Sequence, residues 1–171
     1  MSRLSQSRQH AARVCAHAAF ALGLLAAGLS CGKPSVVLPD TLGGFPRVRL
    51  LEGEEAKAVV DRLHGRGVTP VRNLVAMYGG ERGEATLYYS EYAGAAEASD
   101  VGARMAARIR TGEFPFTPPD EIERGGRTVY VCHGLGQQHY FFPAGSGLYW
   151  LAVDPQVSSP ALDDLLRVAS R

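Results

Sequence analysis

Few residues of this chain could do chemistry, and the sharpest pair among them is Cys132 and His139. The run Gly134-Leu135-Gly136-Gln137 separates two β-prone segments. If all four residues form the loop, His133 pairs with Gln138 and Cys132 with His139. Directly opposed residues hold their Cβ atoms about 4.5–5.5 Å apart on one face of a sheet. A thiol beside an imidazole could be drawn toward the thiolate, or could begin a metal site. That is the reading as a small thiol- or metal-dependent enzyme. Four points weigh against it. A three-residue loop would put Val131 opposite His139. His133 points to the other face of the strand from Cys132. Zinc wants three or four ligands, and no further His or Cys is near in sequence. Free cysteine is also among the most commonly buried residues. No catalytic residue, metal or cofactor is therefore assigned.

The other chemistry-bearing residues have structural explanations. His64 precedes Gly65 at a helix end, where a cation favours the negative terminus. Glu54/Glu55 and Asp163/Asp164 fall in first helical turns, where negative charge is stabilised. No nucleophile elbow, phosphate loop or HExxH run is present. The aromatics are more suggestive. Tyr130, Tyr140, Phe142 and Trp150 lie on neighbouring β segments. Aromatics are good strand formers and core fillers. The functional alternative is that a sheet face free of helices offers them to a partner or an apolar ligand. The stretch Thr111–Pro119, with Phe114, Phe116 and three prolines, could lid such a patch or simply connect two elements.

The elements that must position these residues are legible. Glu54 to His64 carries Ala56, Val59, Val60 and Leu63 at helical spacing and stops at Gly65. Gly94 to Arg110 carries Ala98, Val101, Met105 and Ile109. A third helix starts at Ser159-Pro160, with Leu162, Leu165 and Leu166 inward. Val71–Tyr78 and Ala85–Glu91 flank a glycine-rich loop. Glu121–Arg124, Arg127–His133, Gln138–Phe142 and Leu148–Val153 follow one another through short glycine turns. Strands so joined pair antiparallel as a meander. The expected fold is α+β: a two-layer sandwich, with an antiparallel meander sheet and about three helices on one face.

The first thirty residues read as an address. Arg3, Arg8 and Arg13 precede an apolar run from Ala18 to Leu29, and small residues then lead to Cys31. A positive start, a short apolar core and a small-residue exit form the export pattern. The run is too short to span a bilayer, which takes about 20 residues. Gly28-Leu29-Ser30-Cys31 resembles the lipobox of bacterial lipoprotein signal peptides. Ser30 fits the position before the cysteine, whereas the family's usual leucine is displaced by one, to Leu29. The resemblance implies diacylglycerol on the Cys31 thiol, cleavage just before it, and a membrane-anchored protein facing the periplasm or the cell surface. It covers the leader alone. Two alternatives stay open: an ordinary signal cut near Ala27-Gly28 or after Ser30, and a buried N-terminal helix of a cytosolic protein. Residues 31–44, with two prolines and three glycines, read as the lipidated cysteine and a flexible tether. Residues 45–171 read as one domain.

Three of the 18 basic residues and none of the 17 acidic ones fall in residues 1–30, so the remainder has a formal net charge of −2. A faintly acidic domain has no electrostatic case for nucleic acid, and no basic cluster to hold it on anionic lipid. The expected partners are the membrane, through the lipid anchor, and either an envelope protein or a small apolar ligand. The expected function is a non-enzymatic cell-envelope lipoprotein that binds through an aromatic sheet face.

Overall fold

The computed structural model describes residues 36–170 apart from 37, 65–69 and 82. The leader, Cys31 and residues 32–35 and 37 of the expected tether lie outside the described residues. The elements run β1 (Thr41–Leu42), β2 (Phe45–Glu52), α1 (Gly53–His64), β3 (Arg72–Gly80), β4 (Gly83–Glu91) and α2 (Ala95–Arg110). Then come β5 (Asp120–Arg124), β6 (Arg127–Gly134), β7 (Gln137–Ala144), β8 (Gly147–Val153), a short 3-10 turn and α3 (Ser158–Ala169). The strands form one eight-stranded sheet in the order β1-β2-β3-β4-β8-β7-β6-β5. Every neighbouring pair is antiparallel. The α+β class and the β5–β8 meander are as the sequence predicts.

The layering is not. Leu74, Ala76, Leu87, Tyr89, Phe142 and Leu151 point to one face, where Ala161, Leu162, Leu165 and Leu166 of α3 cover them. Alternate residues point to the opposite face. There α1 packs Ala56 and Val60 on Val75, and α2 packs Ala106 and Ile109 on Cys132 and Phe141. Helices therefore cover both faces, and the expectation of three helices on one side is corrected. The cause is visible in the strands. Leu74, Val75 and Ala76 of β3, and Leu151, Ala152 and Val153 of β8, are each buried in consecutive runs. A strand apolar on both faces leaves its second face to be covered.

The domain also begins before residue 45. Leu38 and Leu42 are buried in the α3-side core, and the Gly43 amide donates to Asp164 Oδ2 of α3 at 2.9 Å. The stretch read as tether up to residue 44 is thus core from Leu38 onward. β2 has no counterpart in the sequence reading, because Phe45-Pro-Arg-Val-Arg carries a proline and alternates poorly. Its β3 pairing shifts register between Arg47 and Arg49.

Candidate functional site

The site is built on the face that α1 and α2 share. α1 packs over β2 and β3 through Leu51 and Val75. α2 packs over β6, β7 and β8 through Cys132, Phe141 and Leu148. Over β4 and the end of β8 neither helix closes on the sheet, and a cleft of about 380 Å³ opens there. Its floor is Tyr88, Trp150, Ala152 and His139. One wall is the stripe Glu97, Val101, Arg104, Met105 and Arg108 of α2, spaced to share one helical face. Leu63 of α1, Leu135 of the β6–β7 turn, and Phe114 and Phe116 complete the rim.

An aromatic row runs through the floor. Tyr130, Phe141, Trp150 and Tyr88 are directly opposed on four adjacent strands, β6, β7, β8 and β4. Tyr130 stacks on Phe141 at 4.8 Å and Phe141 on Trp150 at 4.9 Å. The four aromatics expected to form a binding face therefore divide. Tyr130 and Trp150 share the α2 face and are half-buried. Tyr140 and Phe142 point the other way and are buried beneath α3. Strand alternation separates them, and only Trp150 lines the cleft.

The hairpin register is the one that opposes Cys132 to His139. Gly134 still pairs with Gln137, so the turn itself is Leu135-Gly136. Both have positive φ, 52° and 79°, the pattern of a type I′ turn. Opposition does not make a reactive dyad. The indole N–H of Trp150 donates to His139 Nδ1 at 3.1 Å. An indole can only donate, so Nδ1 accepts, and Nε2 carries the proton and donates to the Gly134 carbonyl at 3.0 Å. Both ring nitrogens are then engaged, and none is left to take the Cys132 proton or to bind a metal. His139 is held neutral. Burial lowers its pKa from the ordinary 6.5, with the Gly134 carbonyl opposing and His133 assisting. Cys132 is fully buried beneath Ala106 and Ile109 of α2. Burial pushes its thiol pKa up to about 11, so it stays protonated at neutral pH. Among the described residues no three His, Cys, Asp or Glu side chains group as a metal would require. The side chain of His64 lies outside the described residues.

The Thr111–Pro119 segment is pinned rather than free. Phe116 bridges Gly134, the Thr117 amide donates to the His133 carbonyl at 2.8 Å, and the His133 amide donates to Thr117 Oγ1 at 3.0 Å. The Phe116 ring meets His139 edge-on at 4.9 Å and lies 5.6 Å from Trp150. A Cβ on Gly134 would overlap the Pro115 carbonyl oxygen and this ring, which is why glycine suits that position. The segment is thus a fixed end wall.

Sequence reasoning missed Leu63 and Leu135 as rim residues. Leu63, at helical spacing with Ala56 and Val60, is 51% exposed where those two are buried. Leu135 is 71% exposed, and a leucine in a turn position that favours Asn or Gly was the available signal. The chain matches no family model, no curated protein and no solved structure at a significant level.

Proposed function

We propose that this protein is an exported, lipid-anchored cell-envelope lipoprotein, not an enzyme, whose domain binds a small apolar ligand in the cleft over Trp150. The observation that carries the reading is the chemistry of the cleft. Its floor is aromatic, its α2 wall offers Val101 and Met105, and two exposed leucines, Leu63 and Leu135, stand at its rim. Its volume is at the low end of the roughly 300–1,000 Å³ typical of small-molecule sites. Leu135 adds a second argument. A leucine at positive φ costs on the order of 1–3 kcal/mol, and such strain tends to be kept where it serves a site. The leader pattern ending at Cys31 supports the address, and the Cys132 and His139 environments favour binding over thiol chemistry.

Trp150 is the only tryptophan of the chain, so its emission reads the cleft floor directly. The test titrates the neutral dye N-phenyl-1-naphthylamine into full chain held in a steroid-based detergent, alongside Met105→Asp. The expected result is saturable quenching of Trp150, weakened at least about tenfold when a charge enters the apolar wall. Identical, unsaturable quenching in both proteins would overturn the reading.

A further inference from the structure

The cleft is electrically lopsided. Along α2 the charged residues of its wall run from Glu97 to Arg108, about 16 Å apart at the rise of an α-helix. The acid is already engaged, because Glu97 Oε2 accepts from the Ala93 amide at 3.1 Å in the first turn of the helix. Arg104, midway, is paired with Asp100 one turn back. Arg108 is different. Among the described residues it makes no ion pair and no side-chain hydrogen bond to a carboxylate. Its guanidinium instead lies 5.1 Å above the Phe114 ring, which fixes it at the cleft end beside Phe114 and Phe116. A cation near a helix C-terminus is favoured by the dipole, and that accounts for its sign. It does not account for its place on the aromatic end wall of an apolar cleft.

We propose that the ligand is an amphiphile with an anionic head, lying along α2 with its head at Arg108 and its apolar chain over Trp150 toward Tyr92. This rests on the apolar-cleft reading above and specifies the ligand class. A guanidinium presents a planar fork that matches a carboxylate or phosphate in a bidentate manner, and is more weakly hydrated than an ammonium. Glu97 at the far end repels the same head and so sets one orientation. The neutral His139 and the indole between them contribute no competing charge.

The experiment follows Trp150 emission of the full chain, in a steroid-based detergent without alkyl chains, on titration with dodecanoate, dodecyl phosphate and 1-dodecanol. The expected result is that at least one anion binds about tenfold tighter than the alcohol. The tighter of the two anions identifies the head. Arg108→Gln brings the affinity for the anion down to about that for the alcohol in the same variant; because Arg108 is exposed, the substitution spares the core. Raised salt narrows the gap in the wild type only, as screening of an exposed charge requires. Equal binding of the alcohol and both anions overturns the anionic head and leaves the apolar cleft standing. Failure of all three to perturb Trp150 overturns the cleft reading itself, and this one with it.

Discussion

Trp150 donates its indole N–H to Nδ1 of His139 across 3.1 Å, and that one bond fixes both the tautomer of the imidazole and the orientation of the cleft floor. The two residues come from neighbouring strands, β8 and β7, and the His139 ring is closed on its other side by the Gly134 carbonyl. Protonating Nδ1 would set two donors against each other. The pair therefore holds only while His139 is neutral.

A pH dependence follows. Burial lowers the His139 pKa below its ordinary 6.5, so the unfolded chain takes up a proton at a higher pH than the folded one. Stability from this group is complete above pH 6.5 and is lost as pH falls below it. Denaturant unfolding at pH 7.5 and 5.5 should show a less stable protein at the lower pH. His139→Gln, which can still accept and donate, should remove most of that difference. An unchanged difference would mean that His139 is not the group responsible.

Cys132 gives the opposite limb. Its thiol is raised from 9.0 to about 11, and Tyr78 and Tyr149 are raised from 10.0 to about 12 by burial. These groups stay protonated in the fold after the unfolded chain has released its protons, so stability falls as pH rises beyond 9. A thiol reagent at neutral pH should leave Cys132 unmodified in the native protein and modify it after denaturation, read by peptide mass mapping. Rapid native modification would reinstate a reactive thiol.

Leu135 should show stability traded against binding. With φ at 52°, its replacement by Asn, which tolerates this conformation, should raise unfolding stability by about 1 kcal/mol. The same change removes an apolar rim group and should weaken dye binding. Gain of stability with binding untouched would show that the leucine serves no site.

The two faces of the sheet should respond separately. Leu165 is fully buried beneath the sheet face opposite the cleft, and Leu165→Ala should cost about 2–5 kcal/mol without changing dye affinity in the protein that remains folded. A change in affinity would mean that the α3-side core and the cleft are coupled.

Much of this arrangement was legible in the residues. Ala98 and Ile109, or Leu162, Leu165 and Leu166, mark their helices because periodicity reports which face is apolar. The glycine pairs mark their turns because only certain residues accept positive φ. The Cys132–His139 opposition came from counting loop residues. What could not be read was how the faces are shared out. Alternation shows that Tyr140 and Phe141 point to opposite sides of their strand, but not which of them faces the same way as Trp150 on the next strand, nor which helix covers which side. β2 was hidden by Pro46 and an irregular register. The cleft depends on where α1 and α2 fail to meet, and no local pattern encodes a gap. Nor could the sequence show that Trp150 ties up His139, because that bond crosses strands whose pairing had first to form.

The most direct measurement is native mass spectrometry of the protein purified from its own host in mild detergent. The account predicts a chain that begins at Cys31 with added acyl mass and carries a non-covalent amphiphile of a few hundred daltons, on the scale of a small-molecule site. It also predicts that Met105→Asp releases the bound mass while the covalent acyl mass stays. A chain still carrying Met1, unmodified and without bound mass, would contradict both the address and the cleft.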